Sequence, residues 1–157
     1  MHIQVEPVGE VYAALLHLAR RQCPTFSLTW REDVGQSQSA RVVADALAST
    51  LIAEERVREW PGTRMLGAPV PLRRYRFTDD ALSVLLEAPS LYAWQAPDRP
   101  EDLAFYAEDG AVWLGSIAHE RAAFFGPAAP SRKELNLAVP GLFVREGYRK
   151  KHRRPDV

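Results

Sequence analysis

Residues 100–125 read PEDLAFYAEDGAVWLGSIAHERAAFF, and this stretch carries the strongest fold signal of the chain. Two runs rich in apolar and aromatic residues, 103–107 and 111–115, flank the dipeptide Asp109-Gly110. Asp-Gly between two such runs favours a β-hairpin with a two-residue turn, because both residues tolerate the left-handed backbone that the turn requires. The stretch therefore predicts a pair of antiparallel strands.

The position of the turn also predicts which side chains share a face. With Asp109-Gly110 at its centre, Tyr106 lies opposite Trp113, and this pair faces away from the core. The residues expected on the core face are Leu103, Phe105, Val112 and Leu114. After the second strand, Ser116 is expected to cap a helix over 117–125.

Apolar spacing predicts the remaining elements. Helices are expected over 9–23, from the Ser37–Ser39 region to about 53, over 81–87 and within 131–143, and strands over 26–31 and 70–77. The last strand contains three arginines and is therefore expected at a sheet edge or with one wet face. Together these elements predict an α+β fold: a single domain over 1–144, with an antiparallel sheet that includes the hairpin and with helices mainly on one face.

Charge is distributed unevenly along the chain. The 157 residues include 20 Lys and Arg and 20 Asp and Glu, so the formal net charge is zero. Residues 145–157 contain six of the basic residues and two of the acidic ones, which leaves 14 basic and 18 acidic residues in 1–144. The sequence therefore predicts an acidic body and a basic, flexible tail. An acidic body makes a nucleic-acid partner improbable, because such proteins carry a basic stripe on the fold itself.

Composition also excludes several classes of protein. The single cysteine, Cys23, allows neither an intrachain disulfide nor a cysteine-cluster metal site and favours a reducing, cytoplasmic setting. No apolar run approaches the roughly 20 residues of a membrane span, and the first residues do not form a signal peptide. Neither a glycine-rich phosphate loop nor a zinc-protease motif occurs, so no cofactor and no metal are predicted.

The residues of this chain with catalytic potential are few. His119 and Glu120 follow the hairpin, and Glu101 and Asp102 precede it, so one imidazole and three carboxylates can meet there. Such a group can serve as a general acid or base or hold a hard cation. The competing interpretation is a structural hydrogen bond from His119, and Ser116 is interpreted as a helix cap rather than as a nucleophile.

Aromatic and basic residues outside this group suggest binding instead. Trp94 in a proline-rich loop, and Trp113 with Tyr106 on the outer hairpin face, are expected to be exposed anchors for a partner, since tryptophan and tyrosine dominate interface energetics. Arg64, Arg73, Arg74 and Arg76 could form an anion site, although a solvated strand face is the preferred interpretation of these arginines.

Several motifs resemble an uncharacterised family of small bacterial proteins with the pattern PEDLxFY…DG…WLxSIAHE. The likeness spans roughly Phe26 to Phe143 and is most distinctive over Pro100 to Glu120. The resemblance implies a common fold and a shared surface around the residues Glu101, Asp102, Trp113, His119 and Glu120. It implies neither an activity nor a cofactor.

The sequence therefore favours a non-catalytic protein-binding module of the immunity or accessory type. Its partner would be another protein, for example a basic toxin that complements the acidic body. The alternative is a small hydrolase or nuclease centred on His119 with the nearby carboxylates Glu101, Asp102 and Glu120. Binding of a small anion by the arginines is a third, weaker option.

Overall fold

A computed structural model of the chain describes residues 1–147, and its centre is an antiparallel sheet. The strands are β1 (His2–Ile3), β2 (Thr25–Thr29), β3 (Leu51–Val57), β4 (Glu59–Trp60), β5 (Thr63–Arg64), β6 (Val70–Arg76), β7 (Glu101–Tyr106), β8 (Val112–Ile117), β9 (Ala122–Phe125) and β10 (Val144–Arg145). Eight of them form the main sheet in the order β10-β1-β9-β8-β7-β2-β6-β3, and β4 and β5 form a separate small hairpin.

Within residues 1–147, four α-helices pack on one face of this sheet. They are α1 (Gly9–Gln22), α2 (Gln38–Leu47), α3 (Asp79–Leu86) and α4 (Arg132–Ala138). Each helix contributes at least one fully buried leucine to the main core. The sheet contributes Phe26 and Phe105 to the same core. The prediction of an α+β domain with an antiparallel sheet and helices on one face is therefore confirmed.

Local signals explain where the helices begin and end. Pro24 follows α1 and cannot continue it. The Ser37 side chain accepts a hydrogen bond at the start of α2, and the Thr78 side chain does so at the start of α3. Ser131 and Glu134 form a reciprocal capping box at the start of α4.

A second, smaller hydrophobic cluster lies on the other face of the sheet. It contains Trp60, Val70 and Leu72, with Val57 and Met65 packed against it. Leu72 and the core residue Tyr75 lie three positions apart in β6, so their side chains point to opposite faces of the strand. The β4–β5 hairpin thus folds over the face that carries no helix.

The central hairpin forms as predicted, but its loop is one residue longer. Gly110 N–H donates to the carbonyl of Ala107 (2.9 Å), and Ala107 N–H donates to Ala111 (2.9 Å). The loop is therefore 108–110, and Gly110 has φ +83°, which is the three-residue hairpin with a glycine bulge. The Asp109 side chain accepts from Ala111 N–H (2.9 Å) and stabilises this turn.

The longer loop changes the pairing on the hairpin. Phe105 pairs with Leu114 as expected, but Tyr106 pairs with Val112 rather than with Trp113. A register shift between Phe105 and Tyr106 accommodates the difference. As a consequence, Trp113 lies in the main core instead of on the outer face.

The helix expected over 117–125 does not form. A short 3-10 turn over 118–120 connects β8 to β9, and Arg121 adopts a left-handed backbone with φ +53°, which ends the turn. Ser116 lies in β8 and caps no helix; its hydroxyl donates to the carbonyl of Leu103 (2.8 Å).

The strand with three arginines is not at the edge. β6 lies between β2 and β3, and β3 forms the edge. The preceding helix, predicted to run to about residue 53, is shorter, because α2 ends at Leu47 and β3 begins at Leu51. The acidic residues of β3 pair with the arginines of β6, which explains why so charged a strand lies inside the sheet.

The chain ends of the described part also enter the sheet. β1 pairs with β9 and with β10, so His2 lies opposite Arg145. β10 thereby crosses the predicted domain boundary at residue 144, and residues 148–157 of the predicted tail lie outside the described part. Within residues 1–147, none of the helices has the length and apolar character needed to cross a bilayer.

Candidate functional site

The sheet brings Glu101, Asp102 and His119 together. Glu101 and Asp102 begin β7, and His119 lies in the 3-10 turn after β8, the neighbouring strand. One ligand atom from each of the three residues lies within 4.8 Å of the others. We call this group the acid–imidazole cluster.

Asp102 is the most constrained member of the cluster. It is 1% exposed and has a left-handed backbone with φ +59°, which is rare for a residue with a side chain. Its Oδ2 accepts from Trp60 Nε1 (2.8 Å) and its Oδ1 from Ala118 N–H (2.8 Å). Burial raises the pKa of Asp102, and these two hydrogen bonds oppose that rise.

Glu101 is held by Arg31. Its Oε2 accepts from Arg31 Nη1 (2.7 Å), and the carboxylate is 3% exposed. The same guanidinium donates twice to Asp33, at 2.8 and 2.7 Å. These hydrogen bonds lower the pKa of Asp33, so Arg31 serves two acids at once.

His119 is the accessible member of the cluster. Its side chain is 44% exposed, and among residues 1–147 no group makes a hydrogen bond to its ring. Glu120 Oε1 lies 3.8 Å from Nε2 of His119, but Glu120 is 61% exposed and lies outside the cluster. The structural hydrogen bond considered for His119 is thus not formed within the described chain.

Among residues 1–147, three buried side-chain oxygens have no hydrogen-bond partner: Thr29 Oγ1, Gln36 Oε1 and Thr63 Oγ1. Thr29 pairs with Glu101 across β2 and β7. Gln36 donates to the carbonyl of Arg31 (3.2 Å), and Thr63 pairs with Trp60 across β4 and β5. Of the three, Thr29 is the residue paired directly with a member of the cluster.

The three aromatic residues proposed as exposed anchors are buried, and that expectation is wrong. Trp94 is 0%, Trp113 1% and Tyr106 3% exposed. Trp94 Nε1 donates to the hydroxyl of Tyr12 (2.9 Å), which shows that the proline-rich loop folds into the core instead of extending into solvent.

The other two aromatic side chains also have internal polar partners. Trp113 Nε1 donates to Gln22 Oε1 (2.8 Å), and the hydroxyls of Tyr106 and Ser27 lie 2.8 Å apart. Buried Tyr and Trp side chains need such partners, so the polar ends of all three are used inside the fold.

The arginines of β6 do not gather into an anion site. The guanidinium of Arg74 lies over the Tyr106 ring (4.6 Å) and 3.8 Å from Glu55. Arg73 donates to Glu54 (2.6 Å) and stacks on Trp30 (4.5 Å). Arg76 is exposed at the end of the strand. The solvated, ion-paired strand face is therefore the better interpretation.

Sequence reasoning missed Arg31, Trp60 and Thr29. Arg31 and Thr29 lie two positions apart along β2 and its extension, which is the period that puts side chains on one face of a strand. That period was the available signal for them. Trp60 had no such signal, because its role depends on β4–β5 folding onto a distant part of the sheet.

We compared the chain with models of known protein families, with curated proteins and with solved structures, and none of them matches it. The resemblance to a family of small bacterial proteins stays a prediction. The geometry of the acid–imidazole cluster therefore carries the functional argument.

Proposed function

We propose that this protein is a small hydrolase whose reaction takes place at the acid–imidazole cluster. The observation that carries the proposal is the convergence of Glu101, Asp102 and His119 within 4.8 Å, with the imidazole still accessible to solvent. Enzymes activate water with such a set, either through a ring nitrogen or on a cation that the carboxylates and the imidazole share. The single cysteine, Cys23, favours a reducing, cytoplasmic setting for this reaction.

Water, rather than a side chain, is the nucleophile in this proposal. Ser116 is 1% exposed and its hydroxyl donates to the carbonyl of Leu103, so it cannot reach a substrate. A buried hydroxyl that donates to a carbonyl has neither access to a substrate nor a base that could remove its proton. An ester or phosphoester would instead approach the exposed edge of His119 and be attacked by water there.

The test is hydrolysis of p-nitrophenyl acetate and bis(p-nitrophenyl) phosphate, and of single-stranded RNA and DNA. We expect His119→Gln to lower the rate on the accepted substrate by about 100-fold or more, since that is the contribution of acid–base catalysis. His17→Gln is the matched control, because His17 is exposed on α1. Rates that are equal in the His119 variant and the wild type would refute the proposal, as would the absence of activity on the whole panel.

A second candidate function is binding of a partner protein along the edge strand β3. Six of its seven residues are exposed. Pro71 donates no N–H, and its carbonyl accepts from Trp30 on the β2 side (2.8 Å). Because groups of one residue point the same way in an antiparallel ladder, Arg56, the partner of Pro71, directs its N–H and C=O to the open edge.

Proline substitution tests this second candidate. Arg56→Pro removes the N–H that points to the open edge and leaves the hydrogen bonds between β3 and β6 intact. We therefore expect the variant to lose binding of any partner protein, for example a basic toxin, with little change in the stability of the fold. Leu137→Ala, on exposed α4, is the control. A partner that binds the proline variant as well as the wild type would show that the edge is not its binding surface.

A further inference from the structure

We infer that Glu101, Asp102 and His119 bind a first-row divalent cation of the Mn²⁺ or Zn²⁺ type. The inference concerns the same cluster as the proposed hydrolase and rests on that proposal for its role in catalysis. The binding itself can be measured without any substrate.

The spacing of the donor atoms suits a single ion. The three donor atoms lie within 4.8 Å of one another. Atoms bound to one such ion lie about 3 Å apart when adjacent and about 4.2 Å apart when opposite, because metal–ligand bonds are about 2.1 Å long. The exposed His119 side chain can rotate to shorten the distances that involve its ring. Two carboxylates with one imidazole suit Mn²⁺ and Zn²⁺ better than Mg²⁺ or Ca²⁺, which prefer oxygen alone.

The charges around the cluster also favour a cation. Asp102 accepts only from the neutral N–H groups of Trp60 and Ala118. Glu101 shares its guanidinium, that of Arg31, with Asp33. Three acidic side chains, those of Glu101, Asp102 and Asp33, lie beside one arginine, and this excess of acidic over basic groups is costly where two of the acids are almost fully buried. A divalent ion would neutralise this excess.

An independent observation points to a bound group at the same place. Thr29 is 0% exposed, and its Oγ1 has no hydrogen-bond partner. Thr29 pairs with Glu101 across the sheet, and directly opposed residues of an antiparallel pair project to the same face. The Thr29 side chain therefore lies on the same face of the sheet as Glu101, next to a register irregularity between Ser27 and Thr29. A buried polar atom without a protein partner is rare in native proteins, and a bound water or ion is a usual partner of such an atom.

The alternative explanation is an ion pair between protonated His119 and Asp102, which needs no metal. It also removes part of the negative charge, but it leaves the Thr29 hydroxyl without a partner. The two explanations differ in one measurable property: only a cation site saturates with one metal ion per chain.

Titration of tag-free, EDTA-treated protein with Mn²⁺, followed by the EPR signal of the free ion, tests the inference. We expect one saturable site per chain and binding at least about tenfold weaker in His119→Gln. His17→Gln and Glu108→Gln are the controls, since both residues are exposed: His17 lies on α1, and Glu108 lies in the hairpin loop at the opposite end of β7 and β8 from the cluster. Failure to saturate at millimolar Mn²⁺, or equal affinity in wild type and His119→Gln, would overturn the inference.

Thr29→Val provides a second test, because it should stabilise the metal-free protein and weaken its binding of Mn²⁺. Replacing a partnerless buried hydroxyl by a methyl group should raise the melting temperature of the metal-free protein. The same change should weaken Mn²⁺ binding, because the hydroxyl no longer supports the ion or its bound water. An equal rise in melting temperature with and without Mn²⁺ would show that Thr29 does not face the metal.

The outcomes separate this inference from the proposed function. Saturable Mn²⁺ binding that depends on His119, without hydrolysis of any substrate, supports the cation site and removes the hydrolase. Hydrolysis that depends on His119, in a protein that shows no saturable Mn²⁺ binding, supports the hydrolase and removes the cation site.

Discussion

Two neutral N–H groups converge on the carboxylate of Asp102, one from the side chain of Trp60 and one from the backbone of Ala118. A carboxylate can accept from both, because each of its oxygens is an acceptor. An asparagine offers one acceptor oxygen and one NH₂ group, so one of the two buried donors would lose its partner. This single side chain thereby links β4 on one face to the turn before β9.

Asp102→Asn should therefore destabilise the protein by about 1–3 kcal/mol, the cost of leaving a buried donor unsatisfied. Urea unfolding followed by circular dichroism measures the change. Asp109→Asn is the matched control, because Asp109 accepts from a single N–H that an asparagine oxygen can also accept from. A loss below about 0.5 kcal/mol in Asp102→Asn, or an equal loss in both variants, would contradict the assignment.

Cys23 provides a residue-scale prediction about pH. The side chain is 2% exposed, and burial raises the pKa of its thiol to about 12. Because the thiolate is the reactive form, labelling by iodoacetamide at pH 8 should be at least about 100-fold slower in the native protein than in urea. The raised pKa also means that its contribution to stability is complete below pH 9 and is lost as the pH rises towards 12. Fast labelling of the native protein at pH 8 would contradict this.

At the scale of elements, the sequence predicts the helices and strands whose signals lie within a few neighbouring residues. The helix α1 has buried Leu15 and Leu18 at helical spacing and is followed by Pro24, so its place and end follow from a short window. Strand β2 and the central hairpin likewise show alternation or turn chemistry within a few residues. Such elements need no knowledge of the rest of the chain.

Two other elements could not be predicted because distant contacts decide them. The residues 117–125 contain good helix formers, yet pairing of β9 with β8 and with β1 makes them a turn and a strand. Strand β3 is almost wholly exposed, so it has no apolar alternation. It is stabilised by ladder hydrogen bonds and by ion pairs to β6, such as that between Glu54 and Arg73.

The turn of the central hairpin offers a prediction at this scale. Gly110 has φ +83°, and a Cβ atom there would meet nothing within 4 Å, so only the backbone conformation opposes a side chain. Gly110→Ala should cost about 1–2 kcal/mol in the free energy of unfolding, measured in urea. Gly67→Ala is the control, because Gly67 has no positive φ and its new Cβ would make only an ordinary contact. Equal effects would show that the left-handed turn is not required.

At the scale of the whole molecule, the site is only partly predictable for the same reason. The proximity of Glu101 and Asp102 to His119 follows from the hairpin, because β7 and β8 are neighbours. The groups that hold the acids come from elsewhere: Arg31 follows β2, and Trp60 belongs to the separate β4–β5 hairpin. No local pattern reports contacts between positions so far apart in the chain.

These same contacts predict how the molecule unfolds. The sheet separates the main core from the cluster of Trp60, Val70 and Leu72, and β7 is buried along its whole length because it has a cover on both faces. The hydrogen bond from Trp60 to Asp102 ties the outer cover to β7 itself. Neither cluster can therefore open without exposing apolar surface of a strand that the other cluster needs.

We expect one cooperative unfolding transition, with coincident urea curves from far-UV circular dichroism and tryptophan fluorescence. In Trp60→Phe, which removes the donor and keeps a large apolar side chain, both curves should move to lower urea together. If the fluorescence change of the wild type preceded the loss of circular dichroism, the outer cluster would be an independent unit and the site would not be held rigidly by the sheet.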